Sequence, residues 1–117
     1  MDAEPVIDDP SFNALIDLGG KEFVVQMVDA FLKFAPKVIG EARAGLAVGN
    51  LEPAMRMGHS LHSSGRTIGI MRMRDLGARI EQAARDKKIS EIPSLVDEME
   101  QAFIQAKCCL EEKKAGL

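Results

Sequence analysis

The 117-residue sequence predicts an all-α protein: an antiparallel up-down four-helix bundle with a short extra N-terminal helix. Three observations carry this expectation. Apolar residues recur at three- and four-residue steps through long stretches, the period of amphipathic helices. No stretch alternates apolar and polar residues as a half-buried strand does. Breaks at Gly19-Gly20, Gly49-Asn50, Gly69 and Lys87-Lys88 leave turns short enough that the stripes bury most simply in an up-down bundle.

Asp9 reads as an N-cap with Pro10 at the first helical position, and the short helix from Ser11 through Ile16 stops at Gly19-Gly20. A long helix begins near Lys21-Glu22, with Phe23, Met27, Phe31, Phe34 and Val38 as its expected buried stripe. Pro36 leaves the Leu32 carbonyl without its amide partner and predicts a kink, because the apolar rhythm continues through Val38, Ala42 and Leu46. Asn50 is placed to cap the next helix, with Pro53 in its first turn. That helix runs to about Ile68 and turns Ala54, Met57, Gly58, Leu61, Ser64, Gly65 and Ile68 inward. Another follows from Ile70 to about Asp86, with Met73, Leu76, Ile80, Ala83 and Ala84 inward and Lys87-Lys88 favourable at its C-terminal end. Ser90 is expected to cap the last helix, striped by Ile92, Leu95, Met99, Phe103, Ala106 and Leu110, with Glu111 to Leu117 fraying. Residues 1–117 read as one domain, with its core spanning about 7–112.

Composition excludes several classes of function. A net charge of −3 argues against nucleic-acid binding. No apolar run approaches the roughly 18 residues of a membrane span, and Met1 to Glu4 is too acidic for a secretory signal. The expected location is cytoplasmic, and Met1 with the polar ends suggests a free-standing protein, expected to be monomeric. Cys108 and Cys109 are adjacent, a poor arrangement for a disulfide, and read as structural thiols in a reducing compartment. Seven methionines and no Trp or Tyr point to an adaptable core rather than a cofactor box.

The most informative stretch is His59-Ser60-Leu61-His62-Ser63-Ser64-Gly65-Arg66. At about 100° per residue His59 falls roughly opposite Leu61, on the solvent side, ringed by the small residues Gly58, Ser60, Ser63, Ser64 and Gly65. Small neighbours leave an imidazole free to meet another molecule closely. The surrounding segment, residues 51–85, holds six arginines against three acids, whereas residues 1–50 hold eight acids against four bases. His59 and His62 together offer only two ligands and no third His exists, so no metal is expected. Gly58 and Gly77 also read as glycines that let helices approach. Phosphate-binding glycine loops are absent, which leaves no means of using ATP.

This ordered set resembles the histidine-containing phosphotransfer (HPt) domains of bacterial-type phosphorelays. The resemblance rests on His59, Leu61, Ser64, Ile68, Gly69, Leu76 and Ile80-Glu81, with Asp17-Leu18-Gly19-Gly20-Lys21-Glu22-Phe23 and Phe31-Leu32-Lys33-Phe34-Ala35-Pro36 upstream. It implies that His59 accepts a phosphoryl group from a receiver-domain phospho-aspartate or a hybrid histidine kinase and passes it to a response regulator. Such a protein is a carrier rather than an enzyme, needs no cofactor of its own, and meets Mg²⁺ on its partner receiver. The family's Lys and Gly positions are occupied by His62 and Ser63. His62, Ser63 and Arg66 are therefore expected to support the phosphoryl group, with Arg66 and Arg56 supplying charge. Met55, Arg56, Ser60, His62, Ser63 and Arg66 form the expected partner face. The His62 substitution also admits another reading, a non-phosphorylated adaptor or inhibitor that binds a receiver or kinase through the same face.

Overall fold

The computed structural model describes residues 5–117; Met1 to Glu4, read above as too acidic for a signal, lie outside the described residues. Four helices make up the described chain: α1 (Asp9–Ala47), α2 (Glu52–Ile68), α3 (Met71–Arg85) and α4 (Ile92–Ala115), with a 3₁₀ turn at Ile89–Glu91 before the last. Each helix packs on its neighbours in sequence, and α4 closes back onto α1. The all-α bundle expected from periodicity is the one observed.

The extra N-terminal helix is the first arm of α1, separated from the long arm by Gly20 at φ 87°, ψ 173°. Such a backbone favours glycine, so the break falls where the Gly19-Gly20 pair predicted it. Pro36, by contrast, lies within continuous helical backbone and does not split the helix. The N-cap is Asp8 rather than Asp9: the Asp8 carboxylate accepts from the Ser11 amide at 3.1 Å and the Ser11 hydroxyl at 2.6 Å. Both bonds favour the ionised form and lower the Asp8 pKa.

The buried stripe of α1 is rotated from the expected one. Val24, Val28, Phe31, Ala35, Val38, Ile39 and Ala42 are buried, while Phe23 and Phe34 are 38% and 40% exposed and Met27 is half-buried. Large aromatics had suggested the wrong edge of the stripe; smaller β-branched residues and Ala fit the close face against the other helices. Phe31 meets Phe103 of α4 with ring centroids 6.0 Å apart. The inward sets expected for α3 and α4 are all buried, as are those of α2 apart from the half-buried Ser64.

Helix ends needed tertiary information. Asn50 accepts from the Glu52 amide at 3.1 Å, although Leu51 holds the formal cap position. Ser90 lies in the 3₁₀ turn, and α4 starts after Glu91 without a side-chain cap. The C-terminal segment does not fray at Glu111: α4 continues to Ala115, where Lys113 pairs with Asp9 and Lys114 with Asp29 at 2.8 Å. These two lysines bind the last turn of the chain to both arms of α1. Cys108 is exposed and Cys109 half-buried, both as free thiols, and desolvation pushes the Cys109 thiol pKa up. No helix of the described residues is long and apolar enough to cross a membrane.

Candidate functional site

The site is built on the α2–α3 hairpin. Gly69 turns the chain at φ 95°, and its carbonyl accepts from the Asp8 amide at 2.7 Å, so the N-terminal segment braces the turn. From that turn the two helices run back against each other with almost no side-chain spacer. A Cβ on Gly58 would lie 2.7 Å from the Gly77 carbonyl oxygen and 2.8 Å from the Glu81 nitrogen. One on Gly77 would lie 2.5 Å from the Gly58 oxygen and 2.6 Å from the His62 nitrogen. One on Gly65 would lie 2.7 Å from the Arg74 nitrogen. Gly58 and Gly65, both on the stripe expected to turn inward, face α3 and set the interhelical distance.

This close approach decides what His59 can reach. Its imidazole is 71% exposed, yet Nδ1 lies 3.2 Å from Oε2 of Glu81, whose side chain is only 17% exposed. An ionised carboxylate is acceptor-only, so this ion-pair contact favours the ring form with its proton on Nδ1 and its lone pair on Nε2. The same Glu81 oxygen accepts from Nη2 of Arg85 at 3.0 Å, one turn further along α3. Glu81 thus stands between an imidazole at ion-pair distance and a guanidinium that donates to it, on a helix whose approach to α2 is set by the glycine contacts.

The expected partner face is only partly gathered around this centre. Arg56, Ser63 and Arg66 are exposed on α2; Met55 and Ser60 are half-buried. His62 is also half-buried and turns toward α3, where its Nδ1 donates to the Arg74 carbonyl at 3.0 Å. His59 and His62 therefore reach α3 at residues 81 and 74, about 10 Å apart along the helix axis. Next to Ser63 a shallow apolar groove opens between α1 and α2, lined by Met27, Ala30, Phe31, Phe34, Ser63 and Thr67. The exposed Phe34 and half-buried Met27 that fall outside the core belong to this groove.

Sequence reasoning counted Glu81 within the motif but gave it no role, and it missed Arg85 and the groove. Hairpin register holds the missing signal. Gly58 with Glu81, His62 with Gly77 and Gly65 with Arg74 are each centred on the Gly69-Ile70 turn, so a carboxylate opposite Gly58 lies next to His59. Among the described residues no group of three or more His, Cys, Asp or Glu is placed to hold a metal ion.

Comparison with known proteins agrees with this architecture. The structure is similar to the crystal structure of histidine-containing phosphotransfer protein B (HptB) from Pseudomonas aeruginosa PAO1, with a TM-score of 0.90 at 19% identity, covering 98% of this chain and 99% of that one. No curated protein sequence matches the chain significantly. The family model for the Hpt domain matches residues 26–107, which include α2, α3 and most of the long arm of α1 and of α4. The chain therefore belongs to the Hpt domain family, the phosphotransfer carriers of two-component signalling.

Proposed function

We propose that this Hpt domain accepts a phosphoryl group on Nε2 of His59 from the phospho-aspartate of a receiver domain, or from a hybrid histidine kinase, and delivers it to a response regulator. The observation that carries the reading is the exposed imidazole whose Nδ1 is held at 3.2 Å by Glu81. That contact favours the tautomer with its lone pair on Nε2, away from Glu81. Transfer then needs positioning more than acid–base help.

In the forward step the Nε2 lone pair forms a bond to phosphorus as the P–O bond to the donor aspartate breaks, with its electron pair leaving on the carboxylate oxygen. The Nδ1 proton stays in place throughout. As the N–P bond forms, the ring acquires positive charge, which the Glu81 carboxylate 3.2 Å from Nδ1 offsets. Onward transfer reverses these events on a second receiver. Mg²⁺ belongs to the receiver's site in this scheme; the bundle supplies the nucleophile and its alignment.

The partner face proposed for docking comprises Met55, Arg56, Ser60, Ser63 and Arg66, continued by the groove at Met27 and Phe34. His62 borders this face and braces α2 against α3. Small and apolar groups here allow close approach, and Arg56 and Arg66 attract an acidic partner surface. A transient complex with a small interface is expected.

The test is phosphotransfer from a panel of phosphorylated receiver domains to the parent, His59→Gln and His62→Gln. Label on the parent and His62→Gln but not on His59→Gln is the expected result. Loss confined to His62→Gln would move the acceptor by one turn. Receiver binding without label on any variant would replace the carrier by the adaptor reading.

A further inference from the structure

The family's phosphoryl-supporting lysine has no counterpart in this chain, and His62 stands at its position. We propose that Arg85, seated on Glu81, is the cation that receives the phosphoryl group at His59. The inference rests on His59 being the acceptor.

The geometry first removes the residue at the lysine's place. The His62 ring is committed through Nδ1 to the Arg74 carbonyl, two helical turns along α3 from the point where His59 is bound. A ring drawn along the seam in that direction diverges from His59 instead of flanking it. Arg85 is held the other way. Its Nη2 donates to Oε2 of Glu81 at 3.0 Å, and Nδ1 of His59 lies 3.2 Å from the same oxygen, which makes the guanidinium and the imidazole near neighbours.

The guanidinium is also suited to the task. It presents five N–H donors in a planar fork matched to phosphate oxygens, and only one is used on Glu81. The Arg85 side chain is 61% exposed, leaving the rest of the fork open to solvent beside the imidazole. The other charged neighbours of His59 are Arg56 and Arg66 on its own helix, and neither has a hydrogen bond or ion pair among the described residues that would hold it in place. Of the cations near the imidazole, Arg85 alone shares an acceptor with it.

Two consequences follow. Glu81 acts as a positioning residue twice, orienting the nucleophile and seating the cation. Arg85 lowers the electrostatic cost of bringing an anionic donor to a ring whose nearest partner is a carboxylate. Phosphoryl transfer itself is unchanged in balance: the N–P bond forms at Nε2, the donor's bond to phosphorus breaks, and Arg85 contributes N–H bonds to the non-transferring oxygens.

Phosphoramidate, a small donor that needs no protein partner, separates site chemistry from docking. In that reaction the donor's N–P bond breaks with its pair leaving on ammonia. The full chain and its Arg85→Ala, Arg85→Lys, Arg79→Ala and His62→Gln variants are incubated with it, and phosphohistidine is followed by ³¹P NMR and by mass; Arg79 is the control, an exposed arginine of α3 outside the site. Arg85→Ala is expected to label about tenfold more slowly, the scale of one charge-assisted bond to phosphate. Arg85→Lys recovers most of the rate, because it restores the charge without the fork. Arg79→Ala stays within about twofold of the parent, and His62→Gln loses less than Arg85→Ala. The phosphohistidine resonance moves in Arg85→Ala and not in Arg79→Ala, a signature that a merely structural role would not produce. Unchanged thermal unfolding of Arg85→Ala, expected for an exposed side chain, confirms that the loss is local. A rate within twofold of the parent with an unmoved resonance in Arg85→Ala would overturn the assignment, as would a larger loss in His62→Gln. A parent that takes no phosphoryl group on His59 would instead overturn the acceptor reading on which this one stands.

Discussion

Gly77→Ala tests the structural premise of the site, that two helices must nearly touch for Glu81 to reach His59. The added Cβ would lie 2.5 Å from the Gly58 carbonyl oxygen, 2.6 Å from the His62 nitrogen and 3.0 Å from the His62 Cα. All three are backbone atoms, so no side chain can rotate away and α2 and α3 must separate. Overpacking of this kind costs about 1–3 kcal/mol, with the upper end fitting a backbone clash on both sides. Alanine recovers about 1 kcal/mol of helix propensity, leaving a net loss of about 2 kcal/mol. At about 4 °C per kcal/mol for a domain of this size, the midpoint should fall by about 8 °C. Gly40→Ala is the matched control: it is exposed in the same bundle and its Cβ would meet nothing within 4 Å. There only the propensity gain remains, about 0.5–1 kcal/mol of stabilisation. Thermal and urea unfolding followed by circular dichroism read both. If the two alanines shift stability in the same direction, the seam is not as tight as described and the argument for Glu81 placement fails.

Other predictions follow from neighbouring parts of the fold. Gly69→Ala places a Cβ 3.0 Å from the Asp8 carbonyl at φ 95°, so about 1–3 kcal/mol of stability should be lost in urea unfolding, more than at the open Gly49. Asp8 has a folded pKa below its ordinary value of 3.8, so its capping contribution is present above that pH and is lost as pH falls through the lower folded value. The Tm difference between parent and Asp8→Ala should therefore be constant from pH 7 to 5 and shrink toward pH 3. Phe34→Ser should change stability by no more than about 0.5 kcal/mol, because the ring is exposed, while speeding dissociation from a receiver measured by surface plasmon resonance. Arg56→Glu should slow association at low salt, with the difference fading as ionic strength rises.

The parts of this protein legible in its sequence are those governed by local rules. Periodicity located four helices, and the glycines at 19–20, 49 and 69 marked real breaks because positive φ is a property of the residue itself. The inward stripes of α3 and α4 could be read because each has one apolar face. On α1 the reading slipped: Phe23, Met27 and Phe34 follow helical spacing, but Phe23 is exposed and Met27 and Phe34 border a groove open to solvent, and periodicity alone does not separate a core stripe from an apolar stripe at the surface. Pro36 does not end the helix, in keeping with the apolar rhythm that continues beyond it through Val38 and Ala42. The persistence of α4 to Ala115 was illegible because its partners, Asp9 and Asp29, are 104 and 85 residues away.

The site divides along the same line. His59 stood out by residue type and exposure, but its chemistry depends on a neighbour from another helix. In an exposed histidine of a lone helix either ring nitrogen can hold the proton, and its neighbours decide which does. What settles the matter is the shared α2–α3 seam. Three glycines without side chains bring the backbones together, the Gly69 turn fixes their register, and that register puts the 17%-exposed Glu81 against Nδ1. Any larger residue at Gly58 or Gly77 would push the carboxylate out of reach while leaving His59 just as exposed. Exposure alone is therefore not what prepares the imidazole. The close helix crossing does so, and residues that never touch a phosphoryl group control the nitrogen that would carry it.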